Sequence, residues 1–327
     1  MAESKSDRKT SEFVTISDDM ILRFHAERAR TTGRLVRLGP LVNKILSGHN
    51  YPGLVSSLLG EAVALTALLG ASLKFNGKLI LQTKSDGPIN FLVVQYSSPG
   101  NLRGYAGFDD EAVRKLGDSG PVLSALLLGS GHLAMTIDNG ADKDRYQGVV
   151  ALEGNTLSEV AQSYFRNSEQ LPTFLRLAVA RHYSGGENQE AQWSWRAGGL
   201  MIQNLSSEGG FSRENVEDDE EDNWPFVEDD EGWNRACHLA ATVEDHELLD
   251  PVLSPERLLY RLFHEERIRT YKPKFLTSEC QCSRSRVESM LQGFSPMELE
   301  DMVVNGKISV VCEFCSHSYD LEESKFG

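Results

Sequence analysis

Length, composition and charge indicate a globular protein of about two domains. The chain has 327 residues, of which 40% are hydrophobic and 25% are charged, enough for a sizeable core. The formal net charge of −15 argues against nucleic acid or an anionic membrane as the main partner. The first residues lack the apolar segment of a secretory signal, so we expect a flexible tail over residues 1–12 and a cytoplasmic protein.

Residues 13–206 are predicted to form one α+β domain, with a strand at residues 33–39 and a long helix at residues 54–73. The helix sequence is the most apolar run of the chain, but Glu61 interrupts it. Only twelve residues separate that charge from Lys74, whereas a membrane crossing needs about 20 apolar residues. We therefore expect a core helix that is buried in the protein, and no membrane partner.

Several strands and a further helix are predicted to follow the core helix. The strand segments are residues 77–98 with a turn at residues 85–88, residues 101–108, and residues 131–155 with a turn at Asn139-Gly140. Thr156 and Glu159 have the spacing of a capping box, which predicts the start of a helix. Because strands and helices occur in runs, an antiparallel or mixed sheet is favoured over a doubly wound parallel one.

Residues 207–231 are predicted to be an acidic, mobile insert. Between Glu208 and Glu231 there are twelve acidic residues and one basic residue, Arg213, which gives a local charge of −11. Two roles for this insert remain open. It is a tolerated surface insertion that keeps complexes soluble, or its self-repulsion loosens the helices that follow it.

Residues 232–271 are predicted to be a metastable helical linker. Ser254 as N-cap and Pro255 at the first helical position begin one of its helices. A narrow apolar stripe follows on that helix, and its members are Leu258, Leu259, Leu262 and Phe263. An isolated helix of this kind is marginally stable, so the stripe requires a partner surface.

Residues 272–327 are predicted to form a small zinc domain, because so short a segment rarely folds on its hydrophobic core alone. It contains four of the five cysteines, which are Cys280, Cys282, Cys312 and Cys315. A C-x-C pair and a C-x-x-C pair can meet around one tetrahedral ion, and four thiolates form a closed zinc site. We predict one Zn²⁺ per chain in the reduced protein.

Other features of this domain are predicted from local patterns. Ser295 and Glu298 form a capping box at the start of a short helix, and Asn305-Gly306 is expected to end it before a strand. The aromatic residues expected around the zinc ligands are Phe275, Phe314 and Tyr319.

Two other classes of function fit part of this pattern. The C-x-x-C spacing of Cys312 and Cys315 is also found in thiol-disulfide oxidoreductases. However, only twelve residues follow Cys315, which is too few for the βαβ unit that usually surrounds this motif. A zinc-ribbon adaptor for protein or nucleic acid would be active in its reduced, zinc-bound form. We find no pattern of a conventional active site and expect that the protein is not an enzyme. Cys237, beside His238, is expected to be an inert thiol.

Segments spread along the whole chain resemble the bacterial 33 kDa chaperonin family of redox-regulated holdases. They include "HNYPGLVSSLLGEAVALTALLGASLKF", "YFRNSEQLPT", "AGGLMIQ", "LLYRLFHEE", "CQCSRSRV" and "CEFC". The resemblance implies that residues 13–206 bind substrate and dimerise, that residues 232–271 are a metastable linker, and that residues 272–327 are a zinc-binding redox switch. It also implies that the four cysteines are zinc ligands and form the redox pairs Cys280–Cys282 and Cys312–Cys315.

The function that this resemblance implies is ATP-independent binding of unfolding proteins under oxidative or heat stress. The reduced, zinc-bound form would be inactive. Oxidation would form two disulfides, release zinc and unfold the linker, so that client-binding surface around Leu258, Leu259, Leu262 and Phe263 becomes exposed. The short spacings also favour disulfides within each pair, because each forms by attack of a neighbouring thiolate. Homodimers in the oxidised state and hand-off of clients to an ATP-driven foldase are implied as well.

Overall fold

The computed structural model describes residues 18–71, 77–118, 122–139, 145–186, 189–204 and 230–322. The predicted tail at residues 1–12 lies outside these ranges, as does the predicted acidic insert except for its last two residues. The fold is α+β, as expected from the sequence. The strands are β1 (Met20–Ala26), β2 (Thr31–Leu38), β3 (Lys78–Ser85), β4 (Phe91–Ser97), β5 (Asn101–Gly107), β6 (Gly131–Asp138), β7 (Tyr146–Ala151), β8 (Thr173–Gly186), β9 (Gln189–Asn204), β10 (Ile268–Thr270), β11 (Lys274–Phe275), β12 (Val303–Val304), β13 (Lys307–Val311) and β14 (Ser318–Glu322).

The helices fall into three groups along the chain. Those before the acidic insert are α1 (Pro40–Ser47), α2 (Gly53–Gly70), α3 (Asp110–Gly117), α4 (Ser124–Leu128) and α5 (Leu157–Tyr164). The linker contains α6 (Asp230–Ala241), α7 (Asp245–Leu249) and α8 (Pro255–Phe263), and the C-terminal domain contains α9 (Arg284–Leu291) and α10 (Pro296–Met302).

The strands form three antiparallel sheets. The first has the order β10-β1-β2-β9-β8, with β11 also paired to β1, and the second has the order β5-β4-β3-β6-β7. The third, β12-β13-β14, belongs to the C-terminal domain. The pairing of β3 with β4 and of β6 with β7 confirms the strand pairs expected from the sequence.

Helix α2 lies between the first two sheets and forms the centre of the main core. It is long and apolar enough to span a membrane, but 72% of it is buried inside the protein. The cluster around it includes Val36 and Met201 from the first sheet and Leu81 and Val94 from the second. This confirms the prediction of a buried core helix.

The opposite face of the first sheet is covered by the linker. Side chains alternate between the two faces of a strand, so Leu35 and Leu200 point away from α2. They belong to a second hydrophobic cluster with the whole α8 stripe, whose members Leu258, Leu259, Leu262 and Phe263 are buried. The Phe263 ring lies 5.4 Å from the Phe24 ring of β1. The partner surface that the stripe requires is therefore this sheet face.

The starts of three helices test the predicted caps. The Ser254 side chain accepts a hydrogen bond from the Arg257 amide at the start of α8, and Ser295 and Glu298 form the complete capping box of α10. At α5 only half of the predicted box is present. Thr156 accepts from the Glu159 amide, but the Glu159 carboxylate accepts from the Asn155 amide at 2.7 Å instead of from the Thr156 amide.

The C-terminal domain has a small core made of Leu291, Leu299, Ile308 and Leu321. Before it, β11 pairs with β1, and the neighbouring Leu276 is buried in the main core. The role predicted for Asn305-Gly306 is wrong, because α10 already ends at Met302. Both residues have positive φ, 54° and 74°, and form the turn between β12 and β13.

Candidate metal centre

The four C-terminal cysteines meet at one point. Their Sγ atoms all lie within 4.8 Å of one another, and each cysteine is partly buried. Cys280 and Cys282 lie between β11 and α9, while Cys312 and Cys315 lie in the turn between β13 and β14. The structure thus brings together the four residues that the sequence predicts as ligands.

Backbone hydrogen bonds fix the turn that carries the second cysteine pair. The amides of Cys315 and Ser316 donate to the Cys312 carbonyl at 3.3 and 2.8 Å, and the Cys312 amide donates to the His317 carbonyl at 2.9 Å. Near the first pair, the Ser283 side chain caps α9 by accepting from the Arg286 amide. One cysteine pair is therefore held in a hydrogen-bonded turn between two strands, and the other directly precedes a capped helix.

The sulfur positions fit a tetrahedral zinc ion. Zinc–thiolate bonds of about 2.3 Å place the sulfurs of a tetrahedral site about 3.8 Å apart. Two of the pairs, Cys280–Cys312 and Cys282–Cys315, have Sγ–Sγ distances of 3.7 and 3.5 Å. Both of these pairs join one loop to the other. Because all edges of a tetrahedron are nearly equal, these distances do not select the disulfide partners.

Tyr319 contacts one of the four sulfurs. Its hydroxyl donates to Cys282 Sγ at 3.1 Å, and this hydrogen bond lowers the pKa of the Cys282 thiol to about 7 and raises the pKa of Tyr319 to about 12. Burial raises the pKa of Cys280, and it raises that of Cys315 to about 12.

The three aromatic residues expected around the ligands have different roles in the structure. Tyr319 is a hydrogen-bond donor, as well as a ring in edge contact with His317. Phe314 lies against Arg103 of β5, with the guanidinium carbon 4.1 Å from the ring centroid. Phe275 pairs with Met20 across β11 and β1 and is 61% exposed, so it belongs to the edge of the first sheet.

Both cysteine loops are docked on the first domain. The Ser316 hydroxyl lies 3.1 Å from the Gly48 carbonyl and 3.0 Å from His49 Nδ1, between α1 and α2. The amide of Glu279 donates to Asn101 Oδ1 at 2.7 Å, and Lys44 Nζ donates to the Ser278 carbonyl at 2.6 Å. Because these partners are far apart in sequence, no local pattern predicts the contact.

The fifth cysteine is separate from this centre. Cys237 lies on α6 and is part of the cluster between the linker and the first sheet. Burial raises its pKa to about 11, so its reactive thiolate is scarce at neutral pH. This agrees with the inert role expected from the sequence.

Comparisons with known proteins point to a single family. The sequence profile described as Hsp33 protein matches residues 19–322. The chain is 42% identical to the 33 kDa chaperonin of Caulobacter vibrioides over 309 residues, which cover 94% of this chain and 96% of that protein. It is 38% identical to the 33 kDa chaperonin of Nitrosococcus oceani, over 93% of this chain and 91% of that protein.

A solved structure agrees in fold. The crystal structure of the 33 kDa chaperonin from Thermotoga maritima superposes with a TM-score of 0.72 at 22% sequence identity. The match covers 95% of this chain and 97% of that one. With the family profile and these relatives along nearly its entire length, the chain belongs to the Hsp33 protein family of 33 kDa chaperonins.

Proposed function

We propose that this chaperone is an ATP-independent holdase that is inactive when reduced and zinc-bound and that oxidation activates. One observation carries this proposal. The four-cysteine centre directly follows the linker, and that linker covers a large apolar face of the first sheet. Loss of the centre would therefore act on the segment that hides the best surface for binding unfolded chains.

The zinc site would supply most of the stability of the C-terminal domain. Structural zinc contributes about 10–16 kcal/mol to the folding of small domains. The core of this domain contains only a few buried side chains among the described residues, which is far less than a domain of its size normally requires; they are Leu291, Leu299, Ile308 and Leu321. Removing the thiolate ligands would therefore unfold the domain.

The chemistry of the switch is thiol oxidation. A peroxide takes two electrons from two thiols, a sulfur–sulfur bond forms, and the oxygen–oxygen bond breaks to give two molecules of water. Two such reactions would convert the four ligands into the disulfides Cys280–Cys282 and Cys312–Cys315, which no longer provide thiolates for zinc. In the zinc-bound protein the peroxide would meet thiolates, because cysteines that bind zinc are deprotonated.

Unfolding of the C-terminal domain would then release the linker. The docking contacts of Ser316 with Gly48, and of Glu279 with Asn101, depend on the folded cysteine loops. When these are lost, the linker would be held by the packing of α8 on the sheet, by the Arg261–Glu247 ion pair and by the hydrogen bonds of its carbonyls to the sheet. A nine-residue helix is marginal alone, so we propose that these contacts do not keep the linker folded. Leu258, Leu259, Leu262 and Phe263, together with the sheet face, would become available to clients.

The expected partners follow from this activity. Unfolded or aggregating proteins are the clients, and we propose that the oxidised protein forms a homodimer and passes clients to an ATP-driven foldase. The thiols must be reduced at rest, which fits the cytoplasm.

The direct test compares the reduced and the peroxide-treated protein in suppressing the aggregation of a chemically denatured client without ATP. Suppression by the oxidised form alone is expected. A zinc-ribbon adaptor would bind its partner in the reduced form, and an oxidoreductase would catalyse the reduction of insulin disulfides. Either of these results, without suppression by the oxidised form, would contradict the proposal.

A further inference from the structure

Two arginines lie in the middle of the sheet face that the linker covers. Arg37 of β2 is 0% exposed and Arg196 of β9 is 6% exposed. By strand alternation they share this face with Leu35 and Leu200 of the second hydrophobic cluster. Charged side chains are almost never buried unless other groups satisfy them, so their partners define what this face binds.

The partners of both guanidiniums are mostly main-chain carbonyls of the linker. The three hydrogen bonds from Arg37 go to the carbonyls of Glu247 at 3.2 Å, Leu248 at 3.3 Å and Leu253. Arg196 Nε donates to the Leu249 carbonyl at 2.7 Å, and its two other nitrogens pair with the Asp18 carboxylate at 2.8 and 2.6 Å.

Three of these four carbonyls, those of Glu247, Leu248 and Leu249, belong to the end of helix α7, and that of Leu253 lies in the loop before α8. Helix α7 is five residues long, and the last carbonyls of any helix lack an intrahelical partner. The sheet also allows the chain to approach closely, because a side chain at Gly198 would place its Cβ 2.8 Å from the Leu248 carbonyl oxygen. The face therefore binds a main chain together with apolar side chains.

We propose that Arg37 and Arg196 are client-binding residues: after the linker leaves, their guanidiniums hydrogen-bond main-chain carbonyls of the unfolded polypeptide that replaces it. This rests on the proposed function and extends it to the ligand class, a non-native chain with apolar side chains and unpaired carbonyls. Every sequence has such carbonyls when unfolded, whereas a folded protein has already paired them in its own secondary structure. The two arginines thus select for the unfolded state and not for a sequence.

The test uses the full-length oxidised protein, in which the linker is released in every variant. The probe is a fluorescent, permanently unfolded polypeptide without acidic residues, and binding is measured by anisotropy. Because hydrogen bonds that involve a charged group are stronger than neutral ones, we expect about tenfold weaker binding of the probe by Arg37→Met and by Arg196→Met. Arg37→Lys should lose less affinity, because lysine keeps the charge and some of the donors. Arg114→Met, which removes the same group from exposed helix α3, should bind like the wild type.

A second measurement on the wild-type oxidised protein does not depend on variant folding. A synthetic peptide of residues 244–263 should displace the probe, because it contains the carbonyls and the apolar stripe that occupy the face at rest. Failure to displace at millimolar peptide would overturn the proposal. So would unchanged binding by both methionine variants, and in that case the proposed function stands. If the wild type does not bind the probe at all, the proposed function fails with it.

Discussion

The guanidinium carbon of Arg103 lies 4.1 Å from the centroid of the Phe314 ring, which stands between Cys312 and Cys315. This cation–π contact connects the turn of the metal centre with β5 of the first domain. Arg103 is itself held by Gln95, whose Oε1 accepts a hydrogen bond from Nη2 at 2.7 Å. A change in the cysteine turn therefore acts directly on the first domain.

Replacing Phe314 tests this connection without removing a ligand. A cation–π contact near the surface contributes about 0.5–1 kcal/mol. The chaperone activity of Phe314→Ala should therefore appear about two- to fivefold faster than that of the wild type after peroxide is added. The variant should keep one zinc per chain. Phe294→Ala, at a partly exposed phenylalanine of the same domain, is the matched control. Identical activation rates in Phe314→Ala and the wild type would mean that this contact does not restrain the switch.

Cys282→Ser tests the metal assignment. The hydroxyl of serine is a poor zinc ligand, so the variant should contain little zinc and its residues from about 278 onward should become sensitive to protease. Cys237→Ser should retain the metal, because Cys237 lies on α6 outside the cluster. Zinc content is measured with a colorimetric chelator after the metal has been released from the cysteine thiolates. Full zinc content in Cys282→Ser would rule out the four-cysteine site.

The disulfide pairing is tested by peptide mapping of the peroxide-treated protein. Bonds within each pair, Cys280–Cys282 and Cys312–Cys315, are expected to be the main products, with Cys237 unpaired. The sulfur atoms of the folded centre also approach one another across the loops, at 3.7 Å for Cys280 and Cys312. A main product joining those two residues would contradict the proposed pairing within each cysteine loop.

Leu262→Ala tests the role of the linker stripe. Leu262 is buried against the first sheet, and removal of a buried leucine side chain costs about 2–5 kcal/mol. The reduced variant should therefore suppress client aggregation without oxidant. Tyr260→Ala is the matched control, because Tyr260 lies on the same helix but is 64% exposed. A reduced Leu262→Ala protein with an unfolded linker and no activity would refute the masking role of the stripe.

We predict that Glu61 makes the stability of the folded protein depend on pH. Burial in α2, together with the nearby Asp245 of the linker, raises the pKa of this carboxyl from 4.5 to about 7. The folded state thus binds its proton more tightly than the unfolded state, so stability is lost as pH rises from 4.5 towards 7, by roughly 3 kcal/mol in all. The unfolding free energy of Glu61→Gln should therefore increase relative to that of the wild type as the pH rises across this range.

The measurement is the difference in unfolding free energy between the two proteins in urea at several pH values. Subtracting the wild type at each pH cancels the effect of zinc-ligand protonation, which both share. Glu111→Gln, at an exposed residue paired with Lys115, is the control and should show no such trend. A difference that does not change with pH would contradict the assignment to Glu61.

Local patterns were sufficient for some parts of the structure and not for others. The cap of α8 at Ser254 and the buried α2 were predictable because each depends on neighbouring residues, and the meeting of the four cysteines was predictable from the spacing of the two pairs. The contacts of Tyr319 with Cys282, and of Arg37 with Leu248, join positions far apart in sequence and arise only from tertiary packing. The error at Asn305-Gly306 has a physical reason, since helix ends and tight hairpin turns both favour residues with positive φ.

We propose that oxidation of the cysteine centre uncovers the sheet face beneath the linker. Hydrogen exchange of the backbone amides in α8, residues 255–263, measures this directly in the reduced and the peroxide-treated protein. We predict protection of α8 in the reduced protein, loss of that protection after oxidation, and retained protection of the core helix α2. If α8 stays protected in an oxidised protein that suppresses aggregation, clients bind elsewhere and oxidation does not uncover this sheet face.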